Sequence, residues 1–353
     1  MRKTSKILSV ILASALALSV TGCSSKPAET AAATTAATET KAEATTAQAA
    51  AENTEAASAG ETYKIGVIQL VQHSALDLSN EGFIAALDDA GIAYEVDQQN
   101  ASGEQSNCLT IAEKLVSDKN DLILAIATPA AQAVAGVTEE IPILVTAVTD
   151  PAGSGLVNDN ANPGVNVSGT SDLTPVKEQI ELLKQLLPEA KTVGLLYCSA
   201  ESNSEIQIQM AKEACDANGL SYAEYTVPGS NEIQTVVESM VGKVDVIYTP
   251  TDNVIAAGMA TVAMVANDNN IPCIVGEAGM VEAGGLATYG IDYYELGYMA
   301  GEQAVEILVN GADIAAMPIG YLPAERCEMT VNKTTAEALG IDISGLQDAV
   351  IVE

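Results

Sequence analysis

From Tyr63 onward the chain alternates short runs rich in Val, Ile and Leu with longer stretches of helical period, and no other feature restricts its fold as strongly. The runs predict strands over Lys64–Leu70, Ala93–Asp97, Leu122–Ala127, Ile143–Val148, Thr192–Tyr197, Ser221–Val227, Val244–Thr249, Cys273–Gly276 and Leu286–Tyr289. Between them, Val176, Ile180, Leu183 and Leu187 recur at helical spacing before Pro188, which places them on one buried stripe. Strands separated by helices build a parallel sheet covered on both faces, so the fold class is α/β.

The pattern also repeats. Ile65-Gly66-Val67-Ile68 returns as Val193-Gly194-Leu195-Leu196, and Asp89-Ala90-Gly91-Ile92 is echoed around Asp216-Ala217-Asn218-Gly219. Asp121-Leu122-Ile123 returns as Asp245-Val246-Ile247, and Ile141-Pro142-Ile143 as Ile271-Pro272-Cys273-Ile274. The common order and an offset of about 124–130 residues predict two similar lobes with a cleft between them.

The first 62 residues follow neither pattern. Arg2, Lys3 and Lys6 precede an uncharged, mostly apolar run from Ile7 to Val20 that stops at Val20-Thr21-Gly22-Cys23. This reads as a lipoprotein signal peptide over 1–22, cut ahead of a cysteine that takes lipid. As a helix the run spans roughly 21 Å, short of the ~30 Å hydrocarbon core. Diacylation of Cys23 would hold the chain on the outer face of the cell membrane, since two acyl chains anchor far better than one. Residues 23–62 are rich in Ala, Thr and Glu, and Ser24–Glu61 contains no Val, Ile, Leu, Met or aromatic residue, so that segment reads as a flexible spacer.

Charge and cysteine content exclude several functions. The formal net charge is −32, a balance that repels nucleic acid and anionic head groups. Arg326 is the only arginine beyond Arg2, so no cluster of guanidinium forks can clamp an anion. Besides Cys23 there are cysteines at 108, 198, 215, 273 and 327, an odd number with no Cys-x-x-Cys pair; they read as small buried residues, with no metal site and no cofactor. His73 is the only histidine, which removes most acid–base, metal and triad schemes. Gly153-Ser154-Gly155 lacks the third glycine of a dinucleotide fingerprint and reads as a turn.

Several motifs in order carry a resemblance: Ile65-Gly66-Val67-Ile68-Gln69 followed by His73-Ser74-Ala75-Leu76-Asp77, Ala127-Thr128-Pro129-Ala130-Ala131, Thr146-Ala147-Val148-Thr149-Asp150-Pro151, Gly169-Thr170-Ser171-Asp172, Pro250-Thr251-Asp252-Asn253 and Ala287-Thr288-Tyr289-Gly290-Ile291-Asp292-Tyr293-Tyr294. From about Tyr63 to Ile341 the chain resembles the substrate-binding lipoproteins of ABC importers, in the subgroup associated with tryptophan and other aromatic amino acids. It departs from that pattern at Ser74, where proline usually follows the histidine, and at Ala278, where a second acid often follows the glutamate. The resemblance implies a type I periplasmic-binding-protein fold, two Rossmann-like lobes with parallel sheets joined by three crossovers. By analogy the first lobe holds 63–171 plus 277–312 and the second 172–276 plus 313–353.

In open parallel sheets, ligands bind beyond the carboxyl ends of the strands, and the candidate residues lie there. Thr128-Pro129 opens a helical pattern: the threonine either caps the helix or also helps its free N–H groups hold a ligand carboxylate. Ser202 and Asn203 offer similar groups from the other lobe. Asp252, beside Asn253, is the first candidate to receive a ligand ammonium, with Asp150, Asp172 and Glu277 behind it; each is otherwise a helix cap or a loop acid. Gln69 and His73 follow the first strand and either line the pocket or serve local structure. Tyr197, Tyr248 and Tyr289 are the tyrosines considered for an aromatic cage, or else strand core.

The expected function is an extracytoplasmic, lipid-anchored, monomeric solute receptor that closes on an apolar or aromatic amino acid and delivers it to an ABC permease. It is expected not to be an enzyme. A sugar receptor or sensor on the same fold is the alternative, and a surface hydrolase using paired carboxylates is a further one. The absence of Trp and the single Phe83 argue against the stacked rings of a sugar site.

Overall fold

The computed structural model describes residues 62–353; the signal peptide, Cys23 and nearly all of the spacer lie outside them. In chain order the elements begin with β1 (Tyr63–Gln69), α1 (Ser74–Asp89), β2 (Tyr94–Asn100), α2 (Gln105–Ser117), β3 (Leu122–Ile126), α3 (Thr128–Ala135), β4 (Ile143–Val148) and β5 (Val167–Ser171). The second group is α4 (Val176–Leu186), β6 (Thr192–Cys198), α5 (Ser202–Ala217), β7 (Ser221–Val227), α6 (Ile233–Met240), β8 (Val246–Thr249), α7 (Asn253–Ala257), α8 (Met259–Asp268), β9 (Cys273–Val275), α9 (Ala278–Glu282) and β10 (Ala287–Gly290). The chain then returns through α10 (Tyr293–Leu308) and β11 (Gly320–Tyr321), and ends on β12 (Glu328–Asn332), α11 (Lys333–Leu339) and β13 (Val350–Val352).

Two sheets result, in the orders β11-β5-β4-β3-β1-β2 and β13-β12-β10-β9-β8-β6-β7. Central strands such as Leu122–Ile126 and Ile143–Val148 are buried along their whole length, because helices cover both faces. The stripe on α4 is observed: Val176, Ile180 and Leu183 are buried in the second core, with Leu187 packed at its margin. The first sheet is parallel throughout. The second departs from the expected all-parallel order, because β12 runs antiparallel to β10.

The lobe boundaries also move. The strand Ala287–Gly290 pairs with β9 and β12, so residues 277–290 belong with the second sheet rather than the first lobe. Gly320–Tyr321 pairs with β5, which keeps 313–321 with the first lobe. The backbone therefore crosses between lobes after β5, after β10 and after β11. Four strands escape sequence reading: β5 is made of small and hydroxyl residues, β11 has two residues, β12 is mostly polar in composition, and β13 is a three-residue edge strand with no buried side chain.

Helix α10 packs on α1 within the first lobe. A Cβ on Gly297 would overlap the backbone of Ser79, and one on Gly82 would overlap that of Tyr294, so the two helices approach at glycine distance. Among the described residues no helix is long and apolar enough to cross a membrane.

Candidate functional site

The carboxyl ends of β1, β3 and β4 face those of β6, β8 and β9 across the cleft. A central cavity of ≈10 Å³, about one water in size, lies there, lined by His73, Leu76, Ala147, Thr149, Asp172, Asn203, Thr251, Asp252, Asn253, Ala256, Glu277 and Tyr293. Next to it, past Glu201 and Val254, a space of ≈360 Å³ opens between Leu70, Val71 and Pro129 of the first lobe and Ala200, Pro228 and Ala257 of the second. The larger space falls within the ~300–1,000 Å³ of small-molecule sites. No lysine or arginine lines either one.

Strain marks the first-lobe wall. Ala127 and Ala147, at the ends of β3 and β4, adopt φ of 82° and 53°, conformations that a side-chain-bearing residue holds only where its surroundings impose them. Ala127, not Thr128, occupies the cap position of α3; Thr128 is the first helical residue, and its buried hydroxyl has no hydrogen-bond partner. The expected capping bond is thus replaced by an unpartnered polar group beside free helical N–H groups.

The acids divide into two groups. At the crossovers, Asp172 follows β5 and Tyr293 follows β10; the tyrosine hydroxyl donates to Asp172 Oδ2 at 2.9 Å. Asp172 Oδ1 is buried with no partner. Burial pushes this carboxyl up to about 6, although the bond from Tyr293 pulls it back. Glu277 accepts from the Gly279 backbone at 2.6 Å, capping α9, and burial pushes it up to about 7. Burial, reinforced by the charge of Asp172, also drives the Tyr293 phenol well above its ordinary value.

The second group surrounds Asp252. Its Oδ1 accepts from Ile255 N at 2.8 Å, and its Oδ2 accepts from Cys198 N at 2.6 Å and Ser204 Oγ at 2.7 Å. The carboxylate that sequence favoured for the ammonium is therefore engaged as a cap of α7 and a tie to β6 and α5. Beside it lies Glu201, which sequence reading missed because nothing local distinguishes it from a solvated loop acid. It is 2 % exposed and accepts from Asn203 Nδ2, Asn253 Nδ2, Asn253 N and Val254 N. Burial and then the neighbouring Asp252 raise the pKa of Glu201; burial does the same for Asp252.

His73 faces this group from the other lobe, with Nε2 3.3 Å from Asn253 Oδ1. Burial holds its imidazole neutral, down to about 4, against the opposing influence of Asn253 and Asp77. The remaining candidates lie off both cavities. Gln69 donates to Val71 O at 2.9 Å and Asp77 Oδ1 at 2.7 Å, and Asp150 accepts from Gly153 N at 3.0 Å and Asn160 Nδ2 at 2.9 Å, so both order loops. Ser202 meets Gln132 Nε2 of the first lobe at 3.4 Å. Tyr197 and Tyr248 are buried strand residues bonded to Glu224 and Gln179, and Tyr289 lines neither cavity; the tyrosine at the cavity is Tyr293. Cys108, Cys198, Cys215 and Cys273 are free and buried, and Cys327 is free and half-buried.

Other bonds join the lobes: Gln105 Nε2 to Ala200 O at 3.1 Å and Gln207 Nε2 to Thr149 Oγ1 at 3.3 Å. Known relatives resemble the chain in this closed arrangement. Residues 64–353 match the family of ABC transporter substrate binding proteins. A tyrosine-binding protein of Clostridioides difficile (strain R20291) is 41% identical over 344 residues, covering 96% of this chain and 93% of that protein. A crystal structure of an ABC domain from Streptococcus pneumonia in complex with L-Trp is 39% identical with a TM-score of 0.80, covering 83% of this chain and all of that one. The ligand-free, open structure of a substrate binding protein with adhesive properties from Clostridium difficile is 43% identical, but its TM-score is 0.64, over 82% of this chain and 99% of that one. At nearly equal identity, the chain superposes better on the ligand-bound structure than on the open one.

Proposed function

This chain belongs to the family of ABC transporter substrate-binding proteins, and we propose that within it the protein captures a free aromatic amino acid between its lobes and delivers it to an ABC permease. The observation that carries this reading is Asp172: a buried carboxylate with one oxygen bonded to Tyr293 and the other unpartnered on a cavity that no lysine or arginine lines. Leaving such a charge unpaired is costly, and a ligand ammonium removes that cost. Glu277 adds negative potential at the same end. The ligand carboxylate, having no arginine to meet, is assigned to the start of α3, where Pro129 lines the larger space and the first helical N–H groups are free. That a relative is described as tyrosine-binding and another was crystallised with L-Trp supports the aromatic class.

Affinity near 1 μM corresponds to about −8 kcal/mol, within reach of one buried ion pair, a carboxylate cradle and an apolar side chain. The chemistry is differential binding between open and closed lobes, with no catalytic step. Cys23 carries two acyl chains on the outer face of the cell membrane, and the spacer holds the monomeric receptor near its permease at high effective concentration. Metabolic labelling with a palmitate analogue tests the anchor: wild type takes the label and Cys23→Ala does not.

Native mass spectrometry of the purified protein, followed by calorimetry with tyrosine, tryptophan, phenylalanine, leucine and simple sugars, tests the ligand class. Micromolar binding of an aromatic amino acid is expected. Binding of a sugar with no response to amino acids would overturn the proposal.

A further inference from the structure

We propose that Glu201 is a positioning residue that makes His73 and Asn203 bare hydrogen-bond acceptors, so that the receptor selects an aromatic side chain carrying its own N–H or O–H. The inference rests on the amino-acid-receptor reading and names the ligand more narrowly.

Its basis is a chain of donors and acceptors with a single solution. Glu201 Oε2 accepts from Asn203 Nδ2 at 3.1 Å, from Asn253 Nδ2 at 2.6 Å and from Asn253 N at 3.2 Å, while Oε1 accepts from Val254 N at 3.0 Å. Oε2 already accepts from the Asn253 backbone N–H and from an Asn203 nitrogen that Thr251 O holds in place, so a proton kept by this buried, raised carboxyl sits on Oε1 and Oε2 stays an acceptor; each amide therefore turns its nitrogen toward Glu201 and its oxygen away. For Asn203 the backbone carbonyl of Thr251, 3.3 Å from the same nitrogen, fixes this orientation a second time. For Asn253 the consequence passes across the cleft: its Oδ1 faces His73 Nε2 at 3.3 Å, so Nε2 must carry the proton. A neutral imidazole has one N–H, and His73 Nδ1 is then a bare lone pair. The burial that holds this imidazole down to about 4 keeps Nδ1 unprotonated at neutral pH.

Both freed acceptors are buried without partners on the central cavity. Its lining holds three unpartnered buried polar atoms, His73 Nδ1, Asn203 Oδ1 and Asp172 Oδ1, and every one is an acceptor. Asp172 belongs to the crossover group with Tyr293 and takes the ammonium. His73 and Asn203 belong to the group built on Glu201 and require a second donor. The phenol of tyrosine and the indole of tryptophan supply one; phenylalanine leaves both acceptors unmet. A site built to bond a donor rejects the analogue that lacks it.

Because His73 is the only histidine, [15N]histidine labelling gives one pair of ring-nitrogen signals. In ligand-free wild type these are expected to show Nε2 protonated and Nδ1 pyridine-like, with Nδ1 shifting toward the hydrogen-bonded range on adding tyrosine. Calorimetry is expected to show tyrosine bound at least about tenfold more tightly than phenylalanine. In Glu201→Gln the new amide lets Asn253 turn. The spectrum is then expected to move toward the Nδ1–H form, and the tyrosine preference to fall by about tenfold; Glu201→Asp, which keeps the carboxylate, retains part of both. A proton on Nδ1 in wild type, or equal affinity for tyrosine and phenylalanine, overturns the inference. Should Glu201→Gln not fold, these wild-type measurements still decide, and His73→Leu must abolish the preference. If no amino acid binds, the receptor reading itself fails, whereas the ligand-free spectrum still tests the tautomer.

Discussion

His73 and Asn253 meet across the cleft, imidazole Nε2 to amide Oδ1 at 3.3 Å, although 180 residues separate them in the chain. One belongs to the loop after β1 and the other begins α7, so their bond exists only when the lobes are closed. A neutral hydrogen bond contributes about 0.5–1.5 kcal/mol, enough to bias the lobe equilibrium without locking it. Asn253→Ala is expected to weaken tyrosine binding about two- to tenfold. Small-angle scattering should show a more extended ligand-free protein; an unchanged profile and unchanged affinity would remove the bond from the closing step.

Asp172 and Asp252 should respond differently to the same change. Asp172→Asn removes the charge opposite the ammonium, and its expected cost is about 2–5 kcal/mol in binding, read by calorimetry, with little loss of melting temperature. Asp252→Asn strikes a carboxylate that accepts from Cys198 N, Ser204 Oγ and Ile255 N. There the melting temperature should fall, by roughly 1–2 kcal/mol in stability. If Asp252→Asn abolishes binding while the protein melts as wild type, the two roles are reversed.

The pH dependence has a definite sign. Burial raises Asp172 to about 6 and Glu277 to about 7 in the folded protein. An acid with a raised folded value holds its proton more tightly when folded, so its contribution to stability is full below ~4 and is lost as pH rises through the folded values. An ammonium favours the ionised form, so ligand affinity runs the other way and weakens as pH falls from 7.5 to 5, by about tenfold per unit of pKa shift reversed. Melting of the ligand-free protein and calorimetry with tyrosine at both pH values check this, with Asp172→Asn as the reference that removes the Asp172 share of both trends and leaves that of Glu277.

Gly297→Ala tests the first lobe independently of the ligand. The added Cβ would overlap the Ser79 backbone, forcing α10 away from α1. A loss of about 1–3 kcal/mol in urea unfolding is expected, and a wild-type midpoint would mean that the helices separate freely.

The division between sequence and tertiary structure follows physical range. The chain by itself determined the α/β class and the two lobes, because β3 and β4 are continuous aliphatic runs and α4 carries a stripe at helical spacing; such periodicities are local. It also brought out Asp172, Asn203, Asn253, Glu277 and His73, which lie at strand ends where an open sheet gathers its ligand contacts. It could not assign their roles. Asp252 is engaged by Cys198 and Ser204, 54 and 48 residues away, and Glu201 draws its partners from Asn253 and Val254, 52 and 53 residues away. Whether a carboxylate is a cap, a ligand partner or a device that orients its neighbours depends on how many donors already reach it. Only the packing of α5, β6 and α7 around one another decided that count, leaving Asp172 Oδ1 free and Asp252 satisfied.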